Sequence, residues 1–183
     1  SLEQSILTQA IGNRQTSAWY MVAWSRPGDA ANLRTAIGDG SAGSWSSSFQ
    51  HSYRSFRSPA VARRGTDSRW IMAWRWPGTA TNVNRYIYVR DHNGTQWNSV
   101  YALQTRVDSW STPSLAYHSV SDRYIVGWVH SGVEGDPLSD NRFARFRTRP
   151  AGDDTLAWSS AVEIWADEDS DGVVDTGEEL IPW

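Results

Sequence analysis

Residues 58–97 read SPAVARRGTDSRWIMAWRWPGTATNVNRYIYVRDHNGTQW, and the outline of this stretch occurs three times in the chain. Aligning the copies on the Trp that ends their second predicted strand brings Trp24, Trp74 and Trp128 into register, 50 and 54 residues apart. A further Trp closes each copy, at Trp45, Trp97 and Trp158. A fixed period of this length is typical of repeat architectures. The sequence therefore predicts three repeats, at about 8–57, 58–110 and 111–165.

The second strand of the middle copy predicts how the repeats pack. Side chains alternate between the two faces of a strand, so Trp70, Met72 and Trp74 point one way while Ile71 and Ala73 point the other. Both sets are apolar, which predicts a sheet covered on both faces. Successive small sheets of this kind favour an all-β fold of β-propeller type, with four strands in each blade. A β-sandwich or jelly roll is the alternative.

The predicted strands of the first copy are Gln9–Gly12, Trp19–Trp24, Leu33–Gly38 and Ser44–His51. Propellers close with about 4–8 blades, and three are visible here. We therefore expect the ring to be completed by another chain or by further sequence. Two three-bladed chains would give six blades, which predicts a homo-oligomer.

Composition excludes several classes of chemistry. The 183 residues include no Cys, and all 17 basic residues are Arg, so disulfides, thiol chemistry, Schiff-base lysines and P-loop lysines are excluded. The last nineteen residues hold seven of the 20 acidic residues, which leaves 17 − 13 = +4 on the remainder. That modest charge does not predict nucleic-acid binding. No apolar run approaches the ~20 residues of a membrane span, so none is expected.

Two of the turns before the closing Trp carry a family resemblance. They read DGSAGSW (residues 39–45) and DHNGTQW (residues 91–97), each with Asp six residues ahead of Trp. These turns resemble degenerate Asp boxes, the Ser-x-Asp-x-Gly-x-Thr-Trp hairpins of bacterial sialidase-like propellers. Ile37 and Val89 stand where the leading Ser would be. The resemblance implies a propeller in which the Asp braces a tight turn and the Trp packs between blades; it implies no activity.

The acidic C-terminal segment, residues 166–183, predicts a calcium site. Residues 167–178 read DEDSDGVVDTGE, with carboxylates at positions 1, 3, 5, 9 and 12 and Gly at position 6, as in an EF-hand-type loop. The predicted ligands are Asp167, Asp169, Asp171, the carbonyl group of Val173, Asp175 and Glu178. The segment resembles the DxDxDG loops of dockerin and thrombospondin-type repeats, which implies a structural site in a secreted protein. A disordered acidic tail is the alternative.

The sequence predicts no catalytic apparatus. The four His residues share no metal-ligand spacing. Asp67 and Asp122 occupy corresponding places in two copies, where we expect turn residues that bond their own backbone rather than a catalytic pair. A sialidase would need an arginine triad, an acid and a Tyr–Glu pair, and no motif assigns them here.

Aromatic side chains outside the aligned core positions are the candidate ligand-binding residues: Trp76, Trp110 and Trp19. Trp and Arg side chains between blades can stack on sugar rings and bond their hydroxyl groups, although packing between blades would explain any one of these Trp residues equally well. The resulting hypothesis is a secreted, non-catalytic propeller module that binds carbohydrate or protein and carries structural calcium. The alternative is a fragment or subunit of a sialidase-type glycoside hydrolase.

Calcium should order residues 166–183 and stabilise the native state by mass action, because the clustered carboxylates repel one another without a cation. Calorimetry should detect uptake with a Kd of about 10⁻⁴–10⁻³ M, the extracellular range. Uptake should be lost in Asp169→Ala, while the three repeats stay folded under chelation. Failure of the unmodified chain to take up calcium would reduce the motif to an acidic tail.

Overall fold

The computed structural model describes residues 6–10, 19–25, 32–39, 43–55, 57–65, 67, 69–76, 86–105, 112–131, 142–152 and 157–164. Regular structure in these ranges is entirely β, with no helix among them. The strands form three antiparallel sheets on one four-stranded plan, each built from strands consecutive in sequence. The prediction of an all-β chain made of successive four-stranded sheets is therefore confirmed.

The first sheet has a divided fourth strand. Its strands are β1 (Ile6–Ala10), β2 (Trp19–Ser25), β3 (Asn32–Asp39), β4 (Ser44–Trp45) and β5 (Phe49–Arg54). Both β4 and β5 pair with β3, so together they fill the fourth place in the sheet. The prediction of one continuous strand over Ser44–His51 is wrong, because residues 46–48 lie in neither strand and separate β4 from β5. The first strand begins earlier than predicted, and residues 11 and 12 lie outside the described residues.

The other two sheets repeat the plan. The second contains β6 (Ala60–Arg63), β7 (Trp70–Trp76), β8 (Tyr86–His92) and β9 (Trp97–Thr105). The third contains β10 (Ser114–His118), β11 (Arg123–Ser131), β12 (Arg142–Pro150) and β13 (Val162–Ile164). The leading strands of the three sheets are neighbours, with β6 in contact with both β1 and β10.

The second sheet lies between the other two and is buried on both faces. Trp70, Met72 and Trp74 pack against the first sheet in a cluster that includes Met21 and Leu33. The opposite face packs against the third sheet in a second cluster, which contains the following buried residues: Ile71, Ala73, Ile87, Val89, Val126 and Trp128. The alternation read from the sequence is therefore confirmed, and the sheet that is apolar on both faces is covered on both.

Polar contacts join the second and third sheets at one edge. Arg64, which follows β6, donates to both carboxylate oxygens of Asp122 at 2.9 and 2.6 Å and to Asp67 at 3.1 Å. Tyr117 also donates to Asp122, and these bonds, that from Arg64 foremost, lower the pKa of the Asp122 carboxyl. Asp67 bonds the backbone N–H of Arg69, as expected of a turn residue. The carboxylate of Asp122 instead ties its turn to the neighbouring sheet.

A buried ion pair joins the same two sheets nearer their centre. Arg149 on β12 approaches Asp91 on β8 with Nη1 and Oδ2 2.6 Å apart. Both residues are buried, and the guanidinium group lies over the rings of Tyr124 and Trp158. In a pair as deeply buried as this, each charge offsets the cost of burying the other, because removing one partner leaves a buried charge without its counterion.

Asp91→Leu should lower the free energy of unfolding by about 3–5 kcal/mol, since it leaves the buried charge of Arg149 without a counterion between two sheets. The double variant Asp91→Leu with Arg149→Met should recover much of that loss because neither charge is then present. Urea unfolding at pH 7 measures both, with Val120→Ala as the control at an exposed turn position. Equal losses in the single and double variants would contradict the compensated pair.

Candidate functional site

A groove of about 860 Å³ lies between the first and second sheets. One wall comes from β3 and the region where β4 gives way to β5, and the other from β8 and the turn into β9. Its described lining mixes aromatic rings with polar groups: Thr35, Ala36, Ile37, Ser44, Trp45, Ser46, Phe49, Trp70, Arg90, His92, Gly94, Thr95, Gln96 and Trp97. A concave, mostly apolar surface with a few placed polar groups is the usual form of a ligand site.

The groove opens where serines interrupt the fourth strand of the first sheet. Residues 46–48 are all Ser and lie between β4 and β5. Ser46 donates its N–H to the carbonyl group of Ile37 at 2.8 Å, and its hydroxyl group accepts from the N–H of Ile37 at 3.0 Å. Because the Ser46 side chain replaces a backbone partner, β3 keeps its hydrogen bonds while the strand beside it breaks.

Aromatic side chains form the walls of the groove. Phe49 keeps 47 % of its surface exposed, and Trp97 is half-buried opposite it. Trp45 forms the outer rim, stacked on Gly38 so closely that a Cβ there would lie 2.6 Å from the indole ring. Gly at position 38 is therefore required by close approach, and it lets the indole lie flat against the sheet.

Arg90 lies at the centre of the polar floor. Its guanidinium carbon is 5.9 Å from the Phe49 ring centroid and 5.8 Å from that of Trp97. Nε donates to the carbonyl group of Asn98 at 2.6 Å, and Nη1 donates to Nδ1 of His51 at 2.9 Å. Among the described residues, none accepts a hydrogen bond from its second terminal nitrogen, Nη2.

His51 is the buried support of Arg90. An arginine can only donate, so Nδ1 of His51 accepts and the ring proton sits on Nε2, which donates to the Thr35 hydroxyl group at 3.0 Å. Burial, with the nearby Arg90 charge, lowers the pKa of His51 from 6.5 to about 3. The imidazole is therefore neutral at pH 7, and it fixes Arg90 without adding charge to the groove.

The corresponding place between the second and third sheets is filled. Ile37 in the first sheet is equivalent to Asp91 in the second, because they pair with the equivalent residues Met21 and Ile71. His92 in the second sheet is equivalent to Arg149 in the third, because they pair with the equivalent residues Trp70 and Tyr124. At the second junction these positions carry the buried Asp91–Arg149 pair. At the first junction they carry Ile37 and His92, which form no such pair. The groove is therefore open at the junction where two shorter side chains, Ile37 and His92, stand in place of the ion pair.

The turn from β8 to β9 closes one end of the groove and is held by Asn93. Its side-chain oxygen accepts from the N–H groups of Thr95 and Gln96 and from the Thr95 hydroxyl group, at 2.9–3.0 Å. Gly94 takes a φ of 103°, which favours glycine. Asp91, the acidic residue of the Asp-box resemblance, lies on β8 and pairs with Arg149.

The residues predicted from sequence as ligand-binding lie away from the groove or outside the described residues. Trp76 ends β7, half-buried, with its ring 5.5 Å from Tyr86 and 6.4 Å from Tyr88. Trp19 lies on β2, but its side chain is outside the described part, as is all of Trp110. The predicted calcium ligands in residues 167–178 are likewise outside it, and the calcium site stays a prediction.

Sequence reasoning missed Phe49 and Arg90. Two signals were available in the sequence. Alternation places Phe49 and His51 on one face of a strand in the first copy. In the second copy it places Arg90 on the face that also carries Trp74 and Tyr88. Within the described ranges, no three His, Asp or Glu side chains are grouped closely enough to hold a metal ion. None of these ranges forms a helix with the length and apolar character needed to cross a bilayer.

Comparison with known proteins adds no family to this description. No protein-family model, curated protein or solved structure matches the chain.

Acidification should destabilise the protein through His51. Because its folded pKa of about 3 lies below the ordinary 6.5, the unfolded chain takes up the proton first, and stability falls as pH drops below 6.5. Burial also lowers the pKa of His92, which acts in the same direction.

His51→Gln keeps a donor and an acceptor but cannot ionise. Between pH 7 and pH 5 it should lose about 2 kcal/mol less stability than the unmodified protein, at about 1.4 kcal/mol per pH unit below 6.5. Urea unfolding across this range measures the difference, and His118→Gln, in an exposed position, serves as the control. Parallel pH profiles for the unmodified chain and His51→Gln would contradict the assignment.

Proposed function

We propose that this protein is a non-catalytic, β-propeller-type module that binds carbohydrate in the groove between its first and second sheets. The observation that carries the proposal is the lining of the groove. Exposed aromatic surface at Phe49 and Trp97 lies beside the hydrogen-bonding groups of Arg90 and Gln96. Flat aromatic rings suit the C–H faces of a sugar, and planar donors suit its hydroxyl groups.

The propeller part of the proposal is supported by three consecutive sheets of one plan that pack face to face with their leading strands adjacent. Blades of a propeller are arranged in this way around their axis. The secreted location rests on the predicted calcium loop in residues 166–183 and belongs to the same proposal.

Charge favours an acidic sugar over a neutral one. Arg90 is the one residue that carries a full charge at pH 7 among the described lining residues, which include no Asp or Glu. Its guanidinium group matches a carboxylate or sulfate in geometry and sign. A sialidase-type hydrolase would need an arginine triad, an acid and a Tyr–Glu pair. The described lining holds one Arg and no Asp, Glu or Tyr, so it supports binding rather than that chemistry.

Phe49→Ala should weaken glycan binding at least about tenfold, that is by about 1.4 kcal/mol, while leaving the fold intact because about half of the residue is exposed already. Trp76→Ala removes an aromatic ring outside the groove and should leave affinity unchanged. A glycan array of neutral, uronic-acid and sulfated sugars, followed by calorimetry on the hits, measures both effects.

Binding should weaken as salt rises if Arg90 contacts an anionic group. Silence of the folded protein across the array would overturn the carbohydrate proposal. A loss of binding in Trp76→Ala with none in Phe49→Ala would move the sugar to the sequence-predicted platform and overturn the groove as the site.

A further inference from the structure

The two junctions between sheets follow one packing rule. We name the face of a sheet that carries its aligned Trp the aromatic face, and the opposite one the aliphatic face. At the first junction, the aliphatic face with Met21 and Ala23 packs on the aromatic face with Met72 and Trp74. At the second, the aliphatic face with Ile71 and Ala73 packs on the aromatic face with Val126 and Trp128. Each aliphatic face thus meets the aromatic face of the following sheet.

The rule leaves the aliphatic face of the third sheet uncovered by any other described sheet. Register matches its residues to those of the second sheet, as follows: Ala116 to Ala62, Ile125 to Ile71, Gly127 to Ala73, Phe146 to Val89 and Ala144 to Ile87. In the second sheet all five counterparts are buried. On the third sheet Val162, beside Phe146, is 47 % exposed. A surface built for burial is therefore open to solvent there.

The aromatic face of the first sheet is likewise not covered by any other described sheet. It carries Tyr20, Val22 and Trp24, all half-buried, and Trp45 lies on the same face over Gly38. Trp97, the counterpart of Trp45, is partly covered by His51 of the preceding sheet, at 4.8 Å between ring centroids. Trp45 has no preceding described sheet and is 53 % exposed. Its exposure follows from that difference.

We propose that these two open faces bind each other between two copies of the chain, so that the third sheet of each copy packs on the first sheet of the other. The open aliphatic and aromatic faces are the two halves of a junction that the molecule already forms twice. Two such contacts close a ring of six sheets, within the 4–8 that a propeller requires. A head-to-tail contact that closes after two copies is a finite assembly rather than a filament.

A second copy suits the surfaces better than a contact between two like faces. At the internal junctions a small residue, Ala23 or Ala73, lies in the same cluster as a larger one from the next sheet, Met72 or Val126. Gly127 leaves still more room at that position, and Val22 is the residue of the first sheet that the repeat alignment matches to Met72 and Val126. Two aliphatic faces in contact would set Gly127 against Gly127 and leave the space unfilled. The inference concerns assembly and does not depend on what the groove binds.

Light scattering on the full chain should give twice the mass of a single copy. Gly127→Glu should halve this mass by placing a charge in the contact, and its own sheet has room, since a Cβ at position 127 would meet its nearest atom at 3.8 Å. Val22→Arg should halve the mass in the same way from the other face. Val120→Glu, in a turn with 90 % of the side chain exposed, is the matched control and should remain a dimer.

Mixing Gly127→Glu with Val22→Arg should restore the dimer. In the mixed pair one contact joins Glu to Arg and the other keeps both original faces. Contacts between like faces would leave one of the two variants dimeric when alone, which would overturn the head-to-tail arrangement. Near-ultraviolet circular dichroism checks that each variant is folded.

Hydrogen exchange on the unmodified chain tests the proposal without any variant. Protection of residues 20–24 and 123–129 should fall at least tenfold on dilution below the dissociation constant, while that of residues 70–76 stays constant. A folded monomer at all concentrations, or an assembly larger than two copies, would overturn the proposal. So would a ring closed by further sheets of a longer chain.

Discussion

Trp70, Met72 and Trp74 are shielded from water because the first sheet covers them, and Ile71 and Ala73 are shielded because the third sheet covers the other side. A four-stranded sheet with two apolar faces cannot be stable alone in water. The neighbours are therefore a requirement of the second sheet. The order of the three sheets and the contacts between their leading strands follow from satisfying that requirement twice.

The two junctions meet the same requirement with different polar chemistry. Between the second and third sheets, Arg149 and Asp91 fill the space and compensate each other's charge. Between the first and second, a neutral His51 holds Arg90 at the floor of an open groove. One junction is closed by a buried ion pair, and the other holds a half-buried Arg90 between the aromatic rings that line the groove.

Repeat alignment on Trp24, Trp74 and Trp128 was enough to predict the number of sheets, the four strands in each and the double burial of the second, because these follow from period and alternation. The groove could not be predicted in this way. It depends on a strand break made by the Ser46 side chain, and a serine run in an aligned strand carries no periodic signal. It depends also on which residues occupy matched positions across a junction, such as Ile37 and His92. Those pairs are identified by register, which a single sequence does not reveal.

The interrupted fourth strand has a consequence for solubility. An outer strand with a straight row of unpaired N–H and C=O groups is a template on which another chain can add a strand. The first sheet ends in β4 and β5 with three serines between them, β9 pairs with β8 through two register shifts, and β13 is three residues long. No described outer strand thus offers a long regular edge. The break that opens the groove also shortens the regular edge on this side of the molecule, which disfavours amyloid-like growth from it.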